Sequence, residues 1–321
     1  MSGEKDPLAA LDGAIEALHN DDHLKFFLVG DESSIKQNFP NELLPRIEII
    51  HTTEVVLMSE SPIDALRKKK NSSMRLAIDL VGEGKADACV SSGNTGALMA
   101  NAKYVLKTLP TIDRPAFMKA IPTKMMNSVY MLDLGANTTS SAKQLYQFAL
   151  MGNVIAREIK GLETPRVALL NIGEEEIKGH EMIKEASNML EKSNINYIGY
   201  IEGNDIVDDK ADVIVTDGFT GNIAIKTMEG TIELIMSVLQ ESLSNNIDNE
   251  SILDNKNSAL KILQDNIDPR KYNGALLVGL NGVVVKSHGS TDSFGFYNAI
   301  MTAIEEIKKE IIPNMIATFK E

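Results

Sequence analysis

The sequence has 321 residues, 43% hydrophobic and 24% charged, with a net charge of −13. That length suits one large α/β domain or two smaller ones, and the acidity disfavours nucleic acid as the main partner. One cysteine, Cys89, excludes an internal disulfide, and the charged start MSGEKDPLAA lacks the apolar core of a signal peptide. No apolar run approaches the ~20 residues of a membrane span. GALLVGLNGVVV comes nearest, and Asn281 and glycines interrupt it. A cytoplasmic protein is expected, with peripheral membrane contact left open.

In chain order, helical patterns cover 7–20, 73–83, 95–108, 141–160, 179–192, 219–244 and 292–318. Between them lie short β-branched or apolar runs that read as strands: KFFLVG, RIEIIH, ADACVSS, SVYMLDLG, RVALLNIG, INYIGYIEG, ADVIVTDG and GALLVGL…GVVVKSHG. Several lack in/out alternation, as strands buried on both faces do. The alternation of strand and helix predicts a doubly wound, mostly parallel α/β sheet. Residues 241–273 are polar and Asn-rich and read as a helical excursion. No linker rich in Pro, Gly or Ser divides the chain, so residues 1–321 are expected to form one domain.

The phrase ADACVSSGNTGALMA at 86–100 returns as ADVIVTDGFTGNIAI at 211–225. Each copy is a strand entering a glycine turn that opens a helix. Two such corners suggest two loops facing one site. Ligands of parallel α/β sheets bind at the strands' carboxyl ends, and N–H groups in a glycine turn before a helix bind anions. Glycines fall at five such ends here, alongside Asn, Thr, Asp or His.

The segments SSGNTGALM, LDLGAN, RVALLNIGEEEIKG, ADVIVTDGFTGNIAIKTMEG and YNGALLVGLNGVVVKSHGS resemble the bacterial phosphate acyltransferases of phospholipid synthesis. The resemblance runs in order from about residue 1 to about residue 310. It implies acyl transfer from acyl-[acyl carrier protein] to inorganic phosphate, a fold like that of isocitrate and isopropylmalate dehydrogenases and of phosphotransacetylase, and a homodimer. It implies handover of acyl-phosphate to a membrane glycerol-3-phosphate acyltransferase. No cofactor or metal is implied. The sequence departs from the family in three places. Family members usually open with a strand ending in Asp-x-Met-Gly-Gly-Asp-x-x-Pro; MSGEKDP matches only the tail, with Glu4 at an Asp position. After LDLGAN many members continue with Pro-Glu-His, where this chain has TTSSAKQ. Residues 241–273 are less basic than the membrane-facing helices of some members.

Thioester-to-phosphate transfer needs phosphate positioned, the carbonyl polarised and the oxyanion held. It needs no nucleophilic Ser or Cys, and the sequence has no G-x-S-x-G elbow and no metal-spaced His/Cys cluster. Cys89 sits mid-strand and reads as core. Lys178, in the loop after VALLNIG, is the candidate cation for the oxyanion or phosphate. Asn222, in the first turn of the next helix, is the second catalytic candidate, with the Gly221 and Asn222 N–H groups expected to face an anion. Asn94, Thr95 and Gly96 form the matching corner. Asp133 and Asn137 lie on the LDLGAN strand end. Asp217 either orients Lys178 or phosphate-bound water or forms a structural Asx turn, and His288 either donates to phosphate, serves as general acid or is structural.

Acyl carrier protein is acidic, so its docking calls for local basic charge. Arg67, Lys68, Lys69, Lys70 and Arg75, in LRKKKNSSMR, are the densest basic run, read either as the docking patch or as a solvated helix face. KMMNSVYML is a candidate lining for the acyl chain, or core filler. A phosphotransacetylase-like enzyme using acyl-CoA and an idle carrier-binding scaffold are the alternatives.

Overall fold

The computed structural model describes residues 8–244 and 268–319. The first segment holds α1 (Leu8–Asn20), β1 (Phe26–Gly30), α2 (Glu32–Asn38), β2 (Ile47–His51), α3 (Pro62–Lys68), α4 (Ser73–Gly82), β3 (Ala88–Ser91) and α5 (Thr95–Leu106). It continues through β4 (Ala116–Pro122), β5 (Ser128–Leu132), α6 (Ala142–Lys160), β6 (Val167–Leu170), α7 (Glu181–Glu191), β7 (Tyr197–Ile201), β8 (Val213–Val215) and α8 (Gly218–Ser244). The second holds β9 (Ala275–Val278), β10 (Val283–Lys286), α9 (Ser293–Lys308) and α10 (Ile311–Thr318). The excursion expected at 241–273 lies largely outside the described residues.

Eight strands form one sheet in the order β3-β10-β9-β4-β5-β8-β6-β7, and β1 and β2 pair in parallel as a separate sheet. Along each strand of the large sheet, alternate residues enter two different cores. Phe117, Met131, Ile214 and Leu277 pack with α4, α5 and the first half of α8. Met118, Leu132, Val213 and Leu276 pack with α6, α7 and α9. Burial on both faces is why these strands read as continuous apolar runs. α6 shows its boundaries in sequence: Ser141 and Gln144 form a capping box, and Gly161 follows in the left-handed conformation.

The sheet is less uniformly parallel than expected. β4 pairs antiparallel with β5 and with β9, and β9 antiparallel with β10, while β3 with β10 and β5, β8, β6 and β7 among themselves are parallel. The β4–β5 and β9–β10 links are too short for a crossover, so each pair must be a hairpin. Three antiparallel junctions make β3 and β10 run opposite to β5, β8 and β6. The carboxyl ends of the strands therefore divide between two edges of the sheet. The single helix expected over 292–318 is two, broken where Glu310 takes φ of 50° before α10.

Candidate active site

Asp133 organises the edge formed by the ends of β5, β8 and β6. Its carboxylate accepts from the N–H groups of Phe117 (2.9 Å), Gly135 (3.2 Å), Ala136 (2.9 Å) and Asn137 (2.7 Å), and from Asn137 Nδ2 (2.9 Å). Asn137 Nδ2 also donates to the Pro115 carbonyl at 2.8 Å. Burial raises the Asp133 pKa, against the pull of hydrogen bonds from Ala136, Phe117 and Asn137. The start of α8 lies directly on this knot. A Cβ at Gly221 would fall 2.0 Å from the Asp133 carbonyl oxygen, and one at Gly218 would fall 2.3 Å from that of Asn137. Gly135, at φ of 117°, brings its backbone to within contact of Asn222. Asp133 and Asn137 were expected to touch substrate. Both are buried, and the Asp133 carboxylate and the Asn137 Nδ2 are taken up by bonds within the fold, which fix the loop and helix that frame the site.

Asp217 caps α8. Its Oδ1 accepts from the N–H groups of Phe219 and Thr220, both at 3.0 Å, and its Oδ2 from Thr220 Oγ1 at 2.7 Å. Of the two readings left open by the sequence, this is the Asx turn. The Gly221 N–H donates to the Asp217 carbonyl at 2.9 Å, and the Asn222 N–H enters the helical ladder. The expected anion site on these two N–H groups is therefore not formed, because the helix cap has taken them. What Asn222 offers is its exposed side-chain amide.

Lys178 stands in the loop after β6, the parallel neighbour of β8, so the Lys178 and Asn222 loops rise from adjacent strand ends on one edge. Its side chain is 46% exposed, with Nζ 4.0 Å from Glu175 Oε1. The same two segments carry four exposed apolar side chains, Ile172 and Ile177 in the loop and Phe219 and Ile223 at the start of α8. Sequence reasoning missed these exposed side chains, though two isoleucines flanking an otherwise acidic loop were a visible signal.

The Asn94–Thr95–Gly96 corner belongs to β3 and lies at the opposite edge, so the two matched corners do not face one pocket. Asn94 caps α5 through Oδ1, accepting from the Ala97 N–H at 3.0 Å. Its Nδ2 donates to the carbonyls of Leu57 (3.3 Å), Met58 (2.9 Å) and Glu60 (3.0 Å). Gly96 is needed for packing, since a Cβ there would fall 2.7 Å from Pro62 Cγ. Thr95 is exposed.

His288 follows β10 at this second edge. Its Nδ1 faces Ser290, 3.3 Å from the N–H and 2.9 Å from Oγ. Burial holds its pKa below the ordinary imidazole value; Glu229 pulls the other way, and Lys226, Lys286 and Lys119 add to the lowering. Lys119 projects from β4 towards α8, where Nζ meets Glu229 Oε1 at 2.8 Å. Lys119 was missed because the strand AFMKAIP was missed; a lone lysine in an apolar run was the available signal.

The basic run is divided in the fold. Lys68 pairs with Asp64 (2.7 Å), Lys69 with Glu60 (3.4 Å) and Arg75 with Asp79 (2.8 Å). Arg75 also lies over the Tyr104 ring. Arg67 and Lys70 are exposed, with no ion pair among the described residues. Cys89 is core, its thiol pushed up to about 12 by burial. In KMMNSVYML, Met125 and Met126 are exposed on the β4–β5 turn and Met131 is buried. Among the described residues no His/Cys/Asp/Glu cluster has the arrangement of a metal site, and no helix is long and apolar enough to cross a membrane.

The profile of the fatty acid synthesis protein family matches residues 1–314. Proteins named phosphate acyltransferase are similar over nearly the whole chain. That of Nitrosococcus oceani is 48% identical, covering 97% of this chain and 92% of its own. That of Coxiella burnetii is 48% identical, covering 98% and 93%. Among solved structures, a branched-chain phosphotransacylase from Enterococcus faecalis shares the fold with a TM-score of 0.61 at 14% identity, covering 95% of this chain and 97% of its own. A phosphotransacetylase from Streptococcus pyogenes does so at 0.59 and 16%, covering 92% and 91%. The chain belongs to the phosphate acyltransferase family and is an acyltransferase.

Proposed function

We propose that the chain transfers a fatty acyl group from acyl carrier protein to inorganic phosphate, forming acyl-phosphate for phospholipid synthesis. The observation that carries this reading is one edge of the sheet, where a half-exposed lysine and an exposed asparagine rise from adjacent strand ends on segments that also expose apolar side chains. A phosphate oxygen attacks the thioester carbonyl carbon. A C–O bond forms, the C–S bond breaks, and the thiolate leaves and takes a proton from solvent. A thiol of pKa near ~8.5 departs without a strong general acid. Lys178 neutralises the phosphate and the developing oxyanion, and the Asn222 amide donates to the carbonyl oxygen. Ile172, Ile177, Phe219 and Ile223 receive the first methylenes of the acyl chain.

The same reading makes Arg67 and Lys70 the cations that meet the acidic carrier, and leaves His288, at the opposite edge, outside the transfer step. It takes residues 1–321 as one domain acting as a cytoplasmic homodimer, peripherally on the membrane and handing acyl-phosphate to a membrane glycerol-3-phosphate acyltransferase. Exposed Leu234, Ile235 and Val238 on α8 supply an apolar face that supports assembly. We propose too that the sheet is of the isocitrate and isopropylmalate dehydrogenase kind. Two parallel halves of opposite sense about an antiparallel centre support that. Donor competition tests the reading: with acyl carrier protein and CoA thioesters of one chain length together, carrier thioester is consumed first. Preference for the CoA thioester would make the enzyme phosphotransacetylase-like instead.

A further inference from the structure

We propose that Asn171 is the positioning residue for Lys178, an inference that rests on the catalytic reading of Lys178 given above. Asn171 follows the last residue of β6 and is 7% exposed. Its backbone N–H is tied to the Ile201 carbonyl of β7 at 2.9 Å, so the residue belongs to the rigid sheet. Its Nδ2 donates to two carbonyls, Gly173 at 3.1 Å and Lys178 at 3.3 Å. One amide group thereby clasps both ends of the loop that carries the lysine. Facing two acceptors fixes which side-chain atom is nitrogen. The loop is laid directly on the clasp. Gly179 has φ of 86°, and a Cβ there would fall 2.1 Å from Asn171 Oδ1. Asn171 Oδ1 is buried without a hydrogen-bond partner among the described residues, a cost accepted where the chain passes this close. At the other end, a Cβ at Gly173 would fall 3.1 Å from Lys178 Cγ, so the lysine stem rests on bare backbone.

The Lys178 ammonium itself is loosely held, 4.0 Å from Glu175. Its position is therefore set through the backbone, and the backbone is set by Asn171. A misplacement of about 1 Å in a catalytic group costs on the order of 10²-fold in rate.

A double-mutant cycle on the full chain, read as acyl transfer to inorganic phosphate, tests this. Asn171→Asp keeps the shape and turns a donor against two carbonyls into an acceptor. Turnover should fall about tenfold or more, and limited trypsin should cut faster after Lys178. Lys178→Ala combined with Asn171→Asp should be no slower than Lys178→Ala alone within about twofold, because residues acting as one unit are non-additive. Gly179→Ala, which pushes on the clasp from the loop side, should show the same non-additivity, so the proposal stands or falls even if Asn171→Asp does not fold. Full additivity in both cycles, or wild-type turnover and wild-type trypsin sensitivity in Asn171→Asp, overturns the clasp and leaves Lys178 in place. Wild-type turnover in Lys178→Ala removes the catalytic reading and the clasp with it.

Discussion

The corners at Asn94–Gly96 and Asp217–Asn222 are spelled almost alike and end at opposite edges of the sheet. In both, the side chain before the helix caps it: Asn94 accepts from Ala97, and Asp217 from Phe219 and Thr220. In both, a glycine permits a close approach, but to different things. Gly96 admits the ring of Pro62, a side chain on the short helix α3, whereas Gly221 admits the carbonyl of Asp133 in the centre of the sheet. The shared phrase thus encodes how a buried strand turns into a helix. It says nothing about what the turn faces, because direction is set by strand pairing far away in sequence.

The largest effect should separate those glycines. Gly221→Ala meets backbone that cannot yield and should cost about 3 kcal/mol, the upper end for overpacking, while Gly96→Ala displaces only α3 and should cost about 1 kcal/mol. Urea unfolding midpoints measure both, and equal losses would erase the distinction.

A pH titration sharpens the comparison by half-sheet. α9 packs on β10 and β3, the half that carries Asn94, and it buries Glu306. Burial pushes that carboxyl from 4.5 up to about 8. The unfolded chain loses this proton near its ordinary pKa and the folded chain only near 8. Stability is therefore full at acid pH and declines as pH rises through that window, by a few kcal/mol at about 1.4 per pKa unit. Glu306→Gln should flatten the alkaline side of the stability profile. An unchanged slope would show that Glu306 is already ionised in the fold.

Asn222→Ala should lower turnover about tenfold or more, the scale of a lost preorganised donor, whereas Thr95→Ala, at the other edge, should stay near wild type. Equal losses would restore the single pocket that the repeated phrase suggests. Smallest of all, Arg67→Glu with Lys70→Glu should raise the KM for carrier thioester about threefold at low salt, with turnover at saturation unchanged. Lys68→Glu should do less, since Lys68 is already paired with Asp64.

Much of the fold was legible because its signals are local. The capping box at Ser141 and Gln144 and the apolar period of α6 lie within one element. The antiparallel centre was not read: β4 was missed, and the link at 279–282 was not recognised as too short for anything but a hairpin between β9 and β10. Reading the sheet as mostly parallel put the carboxyl ends of β3 and β8 on one edge, which is why Asn94 and Asn222 were joined. The placement of Lys178 on an exposed loop after β6 was legible in sequence. The roles of Asp133 and Asn137 were not, because a carboxylate and an amide at a strand end look alike in sequence whether they hold substrate or, as here, the Phe117 and Pro115 backbone.

The central claim is that acyl transfer to phosphate occurs at the Lys178–Asn222 edge. Its most direct test is single-turnover formation of labelled acyl-phosphate from long-chain acyl carrier protein and radiolabelled phosphate, comparing wild type with Lys178→Ala. The account predicts acyl-phosphate from the wild type and a rate lower by about 10² in the variant, with unfolding behaviour unchanged. Equal rates, or no labelled acyl-phosphate from the wild type, would contradict it.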